Sequence, residues 1–438
     1  MAGPSSIVFP VTYEQEAIWL HDRRDPAASI YLESWTGRLR GAVDANAVAW
    51  AISQIVARHP ALHSGIEFDG EELVQVVHED HAVVVERLGR PEMALDDALR
   101  QLIRRPLDVA VSPLRATLLE LAPDDVVVVI QFHHLVVDDW ALAILEREFG
   151  EFYCARIAGR PARLAPLPLL PGEYAVAQRA AGIGPALVDY WRECLRDAPL
   201  ESTMPADLPV PERPGTQGGL IRFEIEPGLG DQLRVMARSA RVTPFTVLAA
   251  AVTALLFAGN GSSDQVLGTI VSRRGSPGLD PMFTCLTGIL PLRQRLRADE
   301  GFGALAAATK QAVTGTMAHR DLPFSVLLHQ LRWPRKVGRP PLCQVVLVVD
   351  DVPRIPLELP GVSTELLHVH TGIAKVDLGF TLVKDGGGYQ GRLVYASDRF
   401  RPQTAKQFAA DLVALLAAGV AAPDLALADL VAGVLAGR

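Results

Sequence analysis

Cysteine is scarce in this chain: four residues in 438, Cys154, Cys194, Cys285 and Cys343, with no CxxC spacing among them. That scatter excludes a CxxC metal or redox motif and points to free, mostly buried thiols in a reducing compartment. Runs of basic residues are also missing, and the formal net charge is −8. Phosphate backbones need clustered Lys and Arg, so a nucleic-acid surface is excluded, while a local basic patch for an acidic protein partner is not. No apolar run is long enough for a bilayer: "FTVLAAAVTALLFAG" from Phe245 falls short of the roughly 20 residues a spanning helix needs. It follows Thr243-Pro244, a side-chain cap with proline at the first helical position, and therefore reads as a buried core helix. The opening "MAGPSSIVFP" lacks the basic and apolar segments of a secretion signal. A soluble, cytoplasmic protein with no membrane contact is expected.

What is present is an ordinary globular balance, 49% hydrophobic and 21% charged. At 438 residues the chain exceeds one compact core, so two domains of about 200 residues each are expected. "DANAVAWAISQIVARHP" from Asp44 has helical apolar spacing, an acidic opening and a proline after its end. "ALHSGIEFDGEELVQVVHED" carries a hairpin turn at Asp69-Gly70, and "LRATLLELAPDDVVVVIQFHH" places a Pro123-Asp124-Asp125 turn between two strands. A helix follows from Asp138 or Asp139, then a proline-rich connection from Gly159 and a helix through Trp191. Residues 197–219 hold five prolines and no apolar periodicity, the pattern of a linker. Beyond them the same grammar returns, with strands near Leu220, at "QVLGTIV", "CQVVLVV", "VDLGFTLV" and "GRLVY", and helices from Leu229, Pro244, Phe302 and Pro323. The expected division is 1–196, a linker over 197–219, and 220–438. "KDGGGYQG" leads into a strand rather than a helix and lacks a closing Lys-Ser/Thr, so it is a hairpin turn and not a phosphate loop.

The stretch "QFHHLVVDDW", Gln131 to Trp140, concentrates the chemistry. Neighbouring residues on a strand face opposite ways, so His133 and His134 do not easily serve one ligand, and no other His, Cys or Glu stands at metal-ligand spacing. A His134-xxx-Asp138 metal pair would need a helix that already includes the histidine, whereas the helix is expected to start at the aspartates. Two readings remain: polar residues ending a strand, or an imidazole delivered to a loop mouth, where neutral histidine can act as a general base near pH 7.

At this point a resemblance enters. "HHLVVDD" resembles the His-His-xxx-Asp-Gly signature of nonribosomal peptide synthetase condensation domains, relatives of chloramphenicol acetyltransferase. Companion motifs follow in family order. "VTYEQEAIWL" is similar to the opening Ser-x-Ala-Gln motif, "RHPALHSGI" to the Arg-His-x-x-Leu-Arg motif, and "EYAVAQR" to the tyrosine–alanine–valine motif. "DQVLGTIVSRRGSPG", "LTGILPLR", "AHRDLPFSVLL" and "GRPPLCQVVLV" resemble the motifs of the second half.

The resemblance implies an α+β fold of two acetyltransferase-like lobes, a V-shaped pseudo-dimer with a central tunnel. Donor and acceptor would enter from opposite faces as phosphopantetheine thioesters on carrier proteins. No cofactor or metal is implied, because the substrate-borne thioester stores the activation. His134 would assist attack of an amine or alcohol on the donor thioester, and His133 would pack facing away. Asp138 would be structural, paired to an arginine, with Arg274 and Arg58 the candidates by motif. No adenylation domain or Gly-Gly-x-Ser attachment site is found in the sequence, so a free-standing enzyme meeting an acyl or peptidyl carrier protein in trans is expected. Arg332, Arg335, Lys336 and Arg339 are a candidate docking edge, and the nucleophile is either a small molecule or carrier-bound.

Four positions depart from the family pattern. Asp139 replaces the glycine, His63 an arginine, Gly288 an asparagine and Ser325 a glutamate. Asp139 either narrows and charges the donor channel or is an exposed helix cap. Trp140, Gly288 and Ser325 are further candidates for lining the tunnel. His319 and Asp321 are expected to cap the helix from Pro323, His368 and His370 to alternate on a solvated strand face, and Trp19 and Trp140 to pack in the core. The leading function is condensation. A silent module that recruits a partner enzyme is the second, motivated by Asp139 and the other departures but opposed by the retained histidines and Asp138, and epimerisation is the third.

Overall fold

The computed structural model describes residues 6–23, 30–79, 83–209, 215–334 and 339–437. Two compact units emerge, both α+β. The first comprises 1–182, 273–287 and 352–371, and the second 183–272, 288–351 and 372–438.

Unit 1 carries strands β1 (Ser6–Pro10), β2 (Leu32–Gly41), β3 (Ser64–Phe68), β4 (Leu73–His78), β5 (Val85–Gly89), β6 (Leu114–Ala122) and β7 (Asp125–His133). Its helices are α1 (Tyr13–Asp22), α2 (Ala45–Arg58), α3 (Leu95–Ile103), α4 (Asp139–Ile157) and α5 (Pro171–Ala181). A later segment, β12 in chain order (Val362–Leu366), completes the main sheet in the order β12-β2-β7-β6-β5, antiparallel except for β5 beside β6. Strand β7 explains the long apolar run. Val126, Val128, Ile130 and Phe132 pack with Val48, Ile52 and Ile55 of α2 and Ile144, Leu145 and Phe149 of α4, while Val127 and Val129 face Leu99, Leu102 and Ile103 of α3. A strand covered on both faces loses the polar alternation of a half-buried one, and each such side chain contributes about 1.5–3 kcal/mol.

Unit 2 contains β8 (Gly218–Ile225), β9 (Asp264–Ser272), β10 (Thr287–Arg295), β11 (Val345–Asp350), β13 (Leu378–Asp385) and β14 (Gly388–Ala396). They form one sheet, β10-β9-β11-β13-β14-β8, in which β9, β11 and β13 run parallel. Around it stand α6 (Pro185–Cys194), α7 (Pro227–Ser239), α8 (Pro244–Asn260), α9 (Phe302–Ala318), α10 (Phe324–Gln330), α11 (Pro402–Ala421) and α12 (Leu427–Ala436). The apolar run from Phe245 is α8, capped by the Thr243 hydroxyl and ended by Gly261 at φ +69. By length and composition α11 could cross a bilayer. Its Phe408, Leu412, Leu415 and Leu416 instead pack with α8 in the core of unit 2. "KDGGGYQG" is the β13–β14 hairpin, with Gly386 and Gly387 at positive φ.

The division differs from a single cut at 197–219. The first unit ends at Gly182, so α6 belongs to unit 2, and two later segments return to unit 1. Part of the expected linker is also packed. Ser202 is fully buried, its backbone N–H donates to Gln344 and its hydroxyl accepts from the Val266 amide, and Met204 sits in the unit 2 core. Prolines remove backbone donors without preventing such side-chain anchoring.

Candidate active site

Strand β7 ends at His133, which pairs with Leu32 of β2, and His134 lies in the turn that follows. The His134 backbone N–H donates to the Tyr31 carbonyl at 2.7 Å, which carries the β2 contact one residue past the strand. The His134 ring is then fixed by its own turn: Nδ1 lies 2.6 Å from the Val137 carbonyl. A carbonyl only accepts, so Nδ1 carries the proton, and in the neutral ring Nε2 keeps its lone pair. That is the tautomer a proton acceptor needs. His134 is half-buried, whereas His133 is buried. His133 holds the opposite tautomer, since its Nδ1 accepts the Leu135 amide at 3.3 Å and its Nε2 therefore carries the proton.

Asp138 turns inward. It is the N-cap of α4, accepting the Ala141 amide at 2.8 Å, and its other oxygen accepts the Leu286 amide at 2.9 Å. Arg274 Nη2 donates to Asp138 Oδ1 at 3.1 Å and to the carbonyls of Met282 and Thr284. Both side chains are almost completely buried. Burial drags the Arg274 guanidinium below its ordinary value, and the Asp138 charge offsets this only in part. The adjacent Arg273 reaches Glu14 of α1 at 2.7 Å. The Arg-Arg pair thus ties 273–287 to two helices of unit 1. Both Asp138 carboxylate oxygens are thus engaged, by the α4 cap and Arg274 on one side and the Leu286 amide on the other. Cys285 lies in the same buried segment, where burial pushes its thiol up to about 12.

The other sequence candidates are distributed as follows. Arg58 does not pair with Asp138: its Nε lies 3.2 Å from Glu148, and it also donates to the Ala165 carbonyl. Asp139 is not the cap but the first helical residue, exposed, with its carboxylate 3.9 Å from Arg354. Trp140 is half-buried and its indole N–H donates to the Asp280 carbonyl at 3.0 Å. Trp19 is likewise half-buried, with Arg23 over its ring, so both tryptophans border the core rather than fill it. Gly288 and Ser325 belong to unit 2, on β10 and α10, both half-buried. His63 Nδ1 lies 2.9 Å from the His78 carbonyl. His319 ends α9, where its Nδ1 reaches the Gly315 carbonyl and its ring stacks on Tyr190; the N-cap of α10 is Pro323. His368 and His370 follow β12 rather than lying on it. Of the basic edge, Arg335 and Lys336 lie outside the described residues, and Arg339 is bound to Glu201 at 2.8 Å.

Sequence reasoning missed the acidic residues of α4 that point into the core. Glu148 is fully buried, with His59 Nε2 at 2.7 Å, and Phe283 packs on the His59 ring. Burial works to raise Glu148, but the His59 hydrogen bond and the charges of His59, Arg58 and Arg147 together hold it below the usual carboxylate range. Glu146 accepts from the Trp35 indole at 3.1 Å and from Arg354 at 2.9 Å, which anchors the 352–371 segment in unit 1. Acidic residues spaced among the apolar positions of α4 were the available signal; their partners are up to 208 positions away. Tyr31 was missed too. Its ring lies about 6 Å from both histidines. Burial, with the Asp22 charge second, pushes its phenol well above the ordinary value, so it stays protonated.

Against this geometry stand the similarities. The chain is 31% identical over 94% of its length to a probable non-canonical nonribosomal peptide synthetase, CymA, of Salinispora arenicola, and 32% identical over 94% to phosphinothricin tripeptide synthetase PhsC of Streptomyces viridochromogenes. It spans only 6% and 39% of those relatives. Among solved structures it resembles the X-domain from teicoplanin biosynthesis, at TM-score 0.89 and 26% identity, covering 98% of both chains. The complex of that X-domain with OxyB matches at TM-score 0.87 and 27% identity, over 98% of this chain and 96% of the other. The family described as condensation domain matches residues 6–432. With the paired histidines and the buried Asp138–Arg274 bridge lying inside a match of that extent, the chain belongs to the condensation domain family.

Proposed function

We propose that the protein is an acyltransferase of natural-product assembly, joining an acyl group held as a carrier-bound phosphopantetheine thioester to an amine or alcohol. One observation carries the reading. The Val137 carbonyl holds the His134 ring by Nδ1–H, which leaves a basic Nε2 on a half-buried side chain beside a strand end. The nucleophile's nitrogen or oxygen attacks the thioester carbonyl carbon while Nε2 accepts or orients its proton. The tetrahedral intermediate then collapses, the carbon–sulfur bond breaks, and the thiolate leaves with a proton returned from the imidazolium. The thioester itself supplies the driving force, so no resident cofactor enters. Orientation of the two substrates accounts for the rest of the rate.

The test is mass spectrometry of products formed from acyl-pantetheine and acyl-carrier thioesters with mixed amines and alcohols. His134→Ala should lower turnover about 10²–10⁴-fold, the range for a positioned general base, while leaving the fold intact. A product formed at an unchanged rate by that variant would overturn the assignment. A second reading, a module that recruits a partner enzyme, is favoured by the likeness to an X-domain that also forms a complex with OxyB and by Asp139 in place of glycine. No amide or ester from the wild type, together with stable binding to a synthetase-associated enzyme, would select it. A carrier protein acting in trans belongs to the first reading.

A further inference from the structure

We propose that Asp22 is a positioning residue of the histidine site: it holds His133 in the Nε2–H tautomer, and through His133 it sets the turn that presents His134. The inference rests on the acyltransferase reading for its kinetic consequence and on geometry alone for its structural one.

Asp22 is the last residue of α1, and its Oδ2 lies 3.7 Å from His133 Nε2, too far for a hydrogen bond but close enough for a strong charge–dipole contact. His133 is 3% exposed, and its Nε2 is buried with no hydrogen-bond partner among the described residues. A buried N–H with nothing else to face is oriented by the nearest carboxylate. The choice of tautomer has a direct consequence at the other ring nitrogen. Only with the proton on Nε2 is Nδ1 free to accept the Leu135 amide. Moving the proton to Nδ1, or adding a second one, would set N–H against N–H inside a buried turn. Leu135 is also held from the other side, where its carbonyl accepts from Gln15 of α1 at 3.3 Å. Helix α1 therefore grips this residue twice, once directly and once through Asp22 and His133. The gripped residue lies between His134 and Val137, whose carbonyl fixes the His134 tautomer. Tyr31 packs its ring against both imidazoles and closes the set. The two adjacent histidines are thus held in opposite tautomers by opposite partners, a carboxylate for one and a carbonyl for the other.

The experiment uses the full chain with histidine-selective ¹⁵N labelling, His133 being assigned from a His133→Gln variant. Ring nitrogen shifts read the tautomer directly, without any substrate. In the wild type, His133 should appear as the Nε2–H form and His134 as the Nδ1–H form. In Asp22→Ala and in the near-isosteric Asp22→Asn, His133 should become a mixture of tautomers. Turnover should fall about tenfold with KM unchanged, and Asp22→Glu should restore part of both. Asp22 is partly exposed, so these variants are not expected to unfold the protein. A His133 that stays in the Nε2–H form in both variants overturns the proposal, as does a tautomer shift that leaves turnover untouched. A wild type that makes no product refutes the acyltransferase reading, while the nitrogen shifts still decide whether Asp22 sets the tautomer.

Discussion

Replacing Asp138 by alanine removes three interactions at once. The α4 N-cap goes, at about 1 kcal/mol. The Leu286 amide loses its acceptor inside the core, at about 1–3 kcal/mol. Arg274 loses the carboxylate of a buried pair while keeping its hydrogen bonds to the Met282 and Thr284 carbonyls, and breaking a buried pair from one side costs about 3–5 kcal/mol. These overlap, so the expected loss is about 4–6 kcal/mol rather than their sum. For a unit of about 200 residues that lowers the melting midpoint of unit 1 by roughly 8–24 °C. Hydrogen exchange followed by mass spectrometry is the suitable assay beside calorimetry, because it separates unit 1 from unit 2. Protection should drop in the first turns of α4 and in 273–287. If the broken pair is the main term, adding Arg274→Met should recover at least about 1 kcal/mol relative to additivity. The exposed Arg192–Asp189 pair supplies the control, and Asp189→Ala should change stability by less than about 1 kcal/mol. An Asp138→Ala protein melting within about 2 °C of the wild type, or a strictly additive double mutant, would refute this account of the bridge.

Three further outcomes are expected. Gly41 has φ +113, and a Cβ there would lie 2.5 Å from the Gly361 carbonyl oxygen, so Gly41→Ala should cost about 1–3 kcal/mol and speed amide exchange in β12. Phe283→Ala removes a buried ring packed on His59 and Phe132 and should lower unit 1 stability by about 3–5 kcal/mol in denaturant titration. Hydrogen bonds from Arg160, then from the Arg163 amide, hold Glu151 at about 2. Its folded value is depressed, so its contribution is full above the ordinary carboxylate value of about 4.3 and is lost as pH falls toward about 2. Melting curves of Glu151→Gln between those limits should fall less steeply with acid than those of the wild type; equal slopes would contradict the assignment.

The sequence by itself determined the local elements and the family. The capped apolar runs became α2 and α8, the Asp69-Gly70 and Pro123-Asp125 turns became hairpins, and the ordered motifs from Val11 to Val348 lie within the family match. These are short-range effects, settled by spacing, capping and turn chemistry. Tertiary structure alone decided which partner each polar group meets. Arg274 and Arg58 were equal candidates for Asp138, and only the return of 273–287 to unit 1 separated them: Arg274 lies 136 positions from Asp138. Asp139, one residue on, is exposed where Asp138 is buried, a difference set by which carboxylate turns into the first turn of α4. Strand β12 and Arg354 join unit 1 from the far end of the chain in the same way. The physical reason is that an unpaired charge in a core is costly wherever its partner lies in sequence, so burial selects partners by position in space, which no local pattern records.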